Sequence, residues 1–225
     1  MAMLRMRFAA AVAFVTCILW LASAAATLAT DDAHALNVNI SLLYQSGKYA
    51  EAIPLAERAL ALSRERYGLD HLETARGMRW LAILYQVQGR DAEAEPLYKA
   101  ALHITEKALG PDHPDVATLL QSLASLYRIR GLYSQAEALY KRALAVKATE
   151  LGPDHPDIGT LLIGLARISE DQRRYTEAEA LYKRALANWE RAPESDNQDL
   201  GQALIGLADV YRAQRRYAAR AGISS

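Results

Sequence analysis

Cysteine is almost missing from this chain. Its 225 residues include one, Cys17, and that one lies inside the only long uncharged run. A single thiol excludes a disulfide framework and any cysteine-based metal site, so stability has to come from packing. Bulky aromatics are also scarce, with two Phe and three Trp beside twelve Tyr. That inventory fills a wide sheet core poorly, whereas abundant alanine suits helices that approach closely. Neither sign of charge is in excess, at 26 basic and 26 acidic residues. With no basic tract or face, the electrostatic footprint of a nucleic-acid-binding protein is lacking. HExxH, a phosphate-cradling glycine loop and a nucleophile elbow are absent as well. The expectation is therefore a protein that is no enzyme and holds no cofactor.

The amino terminus differs in kind from the rest. Arg5 and Arg7 precede an uncharged stretch, Phe8 to Thr30, whose apolar centre runs from Ala13 to Leu21 and leads into Ala22-Ser23-Ala24-Ala25-Ala26. A basic start, an apolar middle and an A-x-A end are the parts of a secretory signal peptide. Cleavage is expected after Ala24, Ala26 or Ala29, and the rival reading is an uncleaved anchor through residues 8–29, since about 20 apolar residues can span a bilayer. Loss of the first 24 residues removes Arg5 and Arg7 and leaves a net charge of −2. Cys17 sits mid-run, not after small residues at its end, so lipid attachment is not expected. The location implied is exported, periplasmic or extracellular.

After residue 31 one spacing governs the sequence. Gly47, Gly89, Gly131, Arg173 and Arg215 recur every 42 residues, as do Ala52, Ala94, Ala136 and Ala178, Ala59, Ala101, Ala143 and Ala185, and Gly68, Gly110 and Gly152. A fixed period of this length means stacked units that share a core with their neighbours. Within the clearest unit, Val116, Leu119, Leu120, Leu123, Ala124 and Tyr127 follow helical spacing. Gly131 closes that helix, and Tyr133, Ala136, Leu139, Tyr140, Ala143 and Leu144 mark a second. Gly152-Pro153-Asp154-His155-Pro156-Asp157 then breaks the chain, with Pro156 suited to a first helical turn. The pattern predicts helices over 34–46, 49–66, 72–88, 91–108, 114–130, 133–150, 156–172, 175–191 and 198–216, all in one domain over 33–217. A linker over 25–32 and a short tail over 218–225 flank it.

His71, His113 and His155 recur with Asp70, Asp112 and Asp154. Equivalent positions in stacked units lie about 10 Å or more apart, a helix diameter. A metal needs its nitrogen ligands within about 2 Å, so these histidines read as helix-start and turn residues, and no metal site is expected. Glu93, Glu95, Glu137, Glu177 and Glu179 read as a solvated face of the second helices. The tyrosines at 85, 98, 127, 140 and 182 read as packing between helices, since their register is helical.

The spacing resembles the tetratricopeptide repeat. Leu81-Ala82, Tyr85, Gly89, Ala94, Tyr98 and Ala101 match its signature, as do Leu123-Ala124, Tyr127, Gly131, Ala136, Tyr140 and Ala143. The 42-residue period and Leu109-Gly110-Pro111-Asp112-His113-Pro114-Asp115 between units are similar to the kinesin-light-chain subtype. The resemblance implies an all-α, right-handed α-solenoid of stacked antiparallel helix pairs, about four and a half repeats, serving as a non-enzymatic protein-binding scaffold. The sequence departs from the pattern where Ser169 replaces a tyrosine of the Tyr85 column and Ala56 one of the Tyr98 column. Arg173 and Arg215 replace the turn glycine, and Arg79-Trp80, Gln121-Ser122, Ile163-Gly164 and Ile205-Gly206 stand where that subtype often has Asn-Asn. No heptad coiled coil precedes the repeats, and an export signal does, so a motor-cargo role is not expected.

In this family the first helix of each pair lines a concave groove. Carried onto this sequence, the lining is Asn37, Ser41, Tyr44, Arg79, Ile83, Gln86, Gln121, Ser125, Arg128, Ile163, Arg167, Glu170, Asp209 and Arg212. Arg79, Arg128 and Arg167 form a guanidinium ladder that would take a peptide or protein ligand bearing acidic residues, by paired hydrogen bonds to carboxylate. At the other end, Leu200, Leu204, Leu207, Ala208, Val210 and Tyr211 make an apolar helix that lacks a full partner in the sequence. A repeat array without a polar cap exposes such a face, so the expectation is either that this edge docks onto another chain, its own copy included (self-association), or that the sequence is truncated. The alternative function is a membrane-anchored structural or assembly factor of an envelope complex.

Overall fold

The computed structural model describes residues 33–190 and 198–220. The signal segment, the 25–32 linker and residues 221–225 of the expected tail lie outside the described residues. Every element among the described residues is a helix: α1 (Ala33–Gln45), α2 (Tyr49–Tyr67), α3 (Leu72–Val87), α4 (Asp91–Leu109), α5 (Pro114–Ile129), α6 (Tyr133–Leu151), α7 (Pro156–Asp171), α8 (Tyr175–Glu190) and α9 (Gln198–Arg220). The chain divides into two compact units, Met1–Arg90 with α1 to α3 and Asp91–Ser225 with α4 to α9. Within each unit, consecutive helices pack as hairpins in an all-α repeat array.

Helix limits follow from local chemistry. His71, His113 and His155 are the N-caps of α3, α5 and α7, each imidazole Nδ1 accepting the backbone N–H two residues on, from Glu73, Asp115 and Asp157, at 3.1–3.2 Å. The cap satisfies an N–H that has no partner inside the helix. Pro114 and Pro156 follow at the first helical position, where no N–H is missed. The first helices close by one motif, with Arg90 N–H donating to Tyr85 O, Leu132 N–H to Tyr127 O and Arg174 N–H to Ser169 O. The residue before each donor takes a left-handed conformation, φ 72° at Gly89, 73° at Gly131 and 61° at Arg173. Arg173 thus copies the glycine turn with a side chain attached, at a backbone cost of ~1–2 kcal/mol. Arg215, in the same column, does not turn. There α9 runs on to Arg220, past the expected limit of 216 and through the first residues of the expected tail.

Packing uses alanine and tyrosine in alternation. Ala94, Ala101, Ala136, Ala143, Ala178 and Ala185 have no exposed surface, and Tyr98, Tyr140 and Tyr182 are buried. In unit 2 the rings of Tyr140 and Tyr182 rest on bare backbone. A Cβ built at Gly164 of α7 would lie 2.4 Å from the Tyr140 ring, and one at Gly206 of α9 would lie 2.3 Å from Tyr182. Gly159 of α7 admits the Trp189 indole in the same way, at 2.5 Å. These glycines exist because an aromatic ring occupies the space a side chain would take.

Two substitutions should act with opposite sign in thermal melts. Gly164→Ala forces Tyr140 out of a filled site and should destabilise by about 1–3 kcal/mol. Arg173→Gly relieves the left-handed backbone and should stabilise by about 0.5–1 kcal/mol, allowing for the greater unfolded-state freedom of glycine.

Candidate protein-docking face

Polar side chains on the first helices of unit 2 are tied across helices. Arg128 of α5 donates to Asp171 of α7 at 2.8 Å, and Arg167 of α7 donates to Gln202 of α9 at 2.7 Å. Thr160 of α7 reaches Asp199 of α9 at 2.8 Å. Two second-helix tyrosines bring their hydroxyls to this face beside Gly164 and Gly206. Tyr140 bonds Ser125, with Arg128 and Arg167 close enough to favour its anionic form, although burial outweighs them and raises its pKa. Tyr182 donates to Glu170 at 2.9 Å. Burial pushes the Glu170 carboxyl up, the Tyr182 hydroxyl opposes this, and neighbouring Asp209 and Asp171 add to the rise. Arg212 pairs with Asp209 on its own helix at 3.2 Å. Gln121 and Ser125 are half-buried, whereas Ile163 is buried in the core beside Leu162 and Ala166.

Unit 1 presents different chemistry. Tyr44 of α1 packs on Tyr49 of α2 at 5.4 Å and on Trp80 of α3 at 6.0 Å between ring centroids. The Arg79 guanidinium lies 5.7 Å from the Trp80 ring. Ser41, Ile83 and Gln86 are half-buried, and Asn37 is almost wholly below the surface. The three arginines of the expected ladder therefore differ: Arg79 stacks on an indole, Arg128 is paired with a carboxylate, and Arg167 makes no ion pair among the described residues.

The second helices of unit 2 hold a feature that sequence reading misplaced. Glu95, Glu137 and Glu179 are not a solvated face; their side chains are only 21–23% exposed. Each binds the lysine one turn on, Lys99, Lys141 or Lys183, at 2.6 Å. Each also receives donors from the next first helix or its turn: Tyr127 and Arg130 on Glu95, Arg174 on Glu137, and Gln214 on Glu179. At the middle site, where Ser169 replaces the tyrosine, the Arg174 guanidinium reaches inward and bonds both Glu137 and Glu177. Bonding to Lys99, helped by Arg130 and Tyr127 and opposed by burial, lowers the Glu95 pKa from 4.5 to about 2. Glu137 and Glu179 are lowered chiefly by their lysines, then by Arg174 and Gln214 respectively. The signal that could have revealed these sites is the 42-residue recurrence of the glutamates themselves, since a merely solvated charge has no reason to keep register.

The tetratricopeptide repeat family matches residues 31–85, 76–149 and 157–219. The chain belongs to that family. Tetratricopeptide repeats mediate protein–protein interaction and are scaffolds, not catalysts. Solved structures of similar fold include BtubC (BKLC) from P. vanneervenii, with TM-score 0.69 and 24% identity over 85% of this chain and 82% of that one. Another is a Podosopora anserina protein provisionally assigned as a kinesin light chain, with nearly identical TPR-like repeats, at TM-score 0.67 and 24% identity over 83% of this chain and 90% of that one. No curated protein matches the sequence. For this tetratricopeptide repeat protein, these likenesses concern the fold alone. Among the described residues no helix is long and apolar enough to cross a membrane, and no three His, Cys, Asp or Glu side chains are grouped to hold a metal ion.

The glutamate sites tie stability to acid. Because the folded Glu95 binds its proton more weakly than the unfolded chain does, its contribution is complete above about pH 4.5 and is lost as pH falls toward 2. Urea unfolding followed across this range should show stability declining with acid, and Glu95→Gln should flatten that limb. An unchanged limb would show that the site is not the cause.

Proposed function

We propose that this protein is an exported, non-enzymatic scaffold that holds a protein or peptide partner along the first helices of its repeats. The observation that carries the reading is Arg167. Its guanidinium is fixed by Gln202 beside the Tyr140 and Tyr182 hydroxyls, and it forms no direct ion pair among the described residues, Glu170 acting on it only from across the Tyr182 hydroxyl. A guanidinium with no direct carboxylate contact keeps its capacity for a bidentate carboxylate. The cross-helix bonds of Arg128, Thr160 and Tyr182 order the same face before any partner arrives, which lowers the entropy lost on binding. The partner is a peptide or protein carrying an acidic residue, with no role for nucleic acid.

A photo-crosslinking residue in place of Gln121 or Ser125 should trap a partner in the native envelope fraction, whereas one at exposed Ala145 or Ala187 on the second helices should not. Replacing Arg79, Arg128 and Arg167 with Ala should reduce capture and weaken its salt dependence, with Arg167 contributing most. Equal trapping from both faces would dispose of the reading.

Exposed apolar side chains on α9 favour a second reading, a structural assembly factor of an envelope complex anchored through residues 8–29. Amino-terminal sequencing of the protein from its native source separates the two. A start between Ala25 and Thr30 fits the released scaffold, in a periplasmic or extracellular location, and retention of Arg5 and Arg7 fits the anchored factor.

A further inference from the structure

Three carboxylates act on one another across the first-helix face of unit 2, and they are not equivalent. Asp171 of α7 is paired with Arg128 of α5 at 2.8 Å, and Asp209 of α9 with Arg212 at 3.2 Å. Glu170 lies between them in its effects, half-buried and with no ion pair among the described residues. Its hydrogen bond comes from the Tyr182 hydroxyl of α8, at 2.9 Å. A phenol is a neutral donor, so Glu170 carries a charge without a counter-ion of its own.

The Tyr182 hydroxyl stands between two opposite charges. Glu170 accepts its proton on one side, and Arg167, one turn earlier on α7, is close enough to favour the phenolate. Arg167 and Glu170 therefore face each other across a phenol oxygen without touching. The other charged and titratable groups that reach this spot are engaged among themselves. Arg128 from α5 is held by Asp171, Tyr140 from α6 lies beside Arg128 and Arg167, and Asp209 and Arg212 from α9 hold each other. The charges that act on Glu170 are thus two acids, Asp171 and Asp209, and one base, Arg167. Burial and the two acids raise its pKa above the ordinary 4.5, against the pull of Tyr182 and Arg167.

We propose that Glu170 is an acid-sensitive guard of the Arg167 site: as an anion it repels a partner's carboxylate, and once protonated it leaves the guanidinium to that partner. The proposal rests on the reading that Arg167 receives a carboxylate, and adds what controls that step. A like charge beside an entering carboxylate opposes binding. Protonation removes the charge without disturbing the packing, because a neutral carboxyl still accepts the Tyr182 hydrogen through its carbonyl oxygen. By reciprocity, a carboxylate bound at Arg167 makes Glu170 easier to protonate, so binding takes up a proton. Capture at this face therefore strengthens as the surroundings become mildly acidic.

Trifluoroacetate is a probe for this, since it stays a charged carboxylate throughout the range and reports through fluorine NMR. Its affinity for the full chain is counted as the part that Arg167→Ala abolishes. That affinity should rise about three- to tenfold as pH falls from neutral toward 4.5, the effect of removing one nearby like charge. Glu170→Gln keeps an acceptor for the Tyr182 hydroxyl, and should show the raised affinity already at neutral pH with no further rise in acid. A parent whose Arg167-dependent affinity is the same at every pH would overturn the proposal and leave the docking reading standing. So would a Glu170→Gln chain that keeps the parent's pH dependence, as expected if Asp171, Asp209 or a histidine were responsible. Absence of Arg167-dependent binding in Glu170→Gln at every pH would overturn both together.

Discussion

In unit 2 the ring of a second-helix tyrosine lies against the bare backbone of the next first helix, and most of the remaining architecture is arranged around that contact. Tyr140 against Gly164 and Tyr182 against Gly206 leave no room for even a methyl group. Close packing of this kind tolerates little change in volume, because displaced atoms have nowhere to go. The pairing runs at a constant offset, and the same offset joins Tyr98 to Ser122 and Ala56 to Trp80. As the residue on the second helix grows from alanine to tyrosine, its counterpart shrinks from tryptophan through serine to glycine. Two substitutions that look like separate departures from a repeat consensus are thus one exchange of volume.

The contact also delivers chemistry. A tyrosine that passes beside a glycine carries its hydroxyl through to the far side of the first helix, where Tyr140 meets Ser125 and Tyr182 meets Glu170. Buried phenol oxygens need partners, because an unpaired polar atom away from water is costly. The polar side chains of the first-helix face supply them. Packing in the interior and polarity on the face are therefore coupled in unit 2, and neither tyrosine can be replaced by phenylalanine without stranding Ser125 or altering the surroundings of Glu170.

Much of this was legible in the chain beforehand, and the limits are instructive. Helical periodicity and the capping residues located the first eight helices to within one residue, because Pro114, Pro156 and the turn glycines act locally. The reading of His71, His113 and His155 as helix-start residues holds for the same reason, since each is the N-cap of its helix and two of them precede a proline at the first helical position. Arg215 failed because a left-handed turn requires a packed helix after it as well as the right column, and Arg173 has α8 to hold it while α9 simply continues. The inward-facing glutamates were misread because their burial depends on tyrosine, arginine and glutamine side chains 32 to 37 residues away. No local pattern contains that information.

The charges on the first-helix face bear on what kind of partner the proposed scaffold could take. An arginine ladder would suit an acidic run, with one carboxylate for each rung. In unit 2 the rungs are unequal, because Asp171 already occupies Arg128 and Arg212 faces Asp209. A run of acidic side chains would bring like charge against Glu170, Asp171 and Asp209, and such juxtapositions oppose binding. A segment with a single carboxylate aimed at Arg167 and apolar or neutral residues around it avoids that repulsion. Selectivity then comes as much from what the neighbouring carboxylates reject as from what one guanidinium attracts.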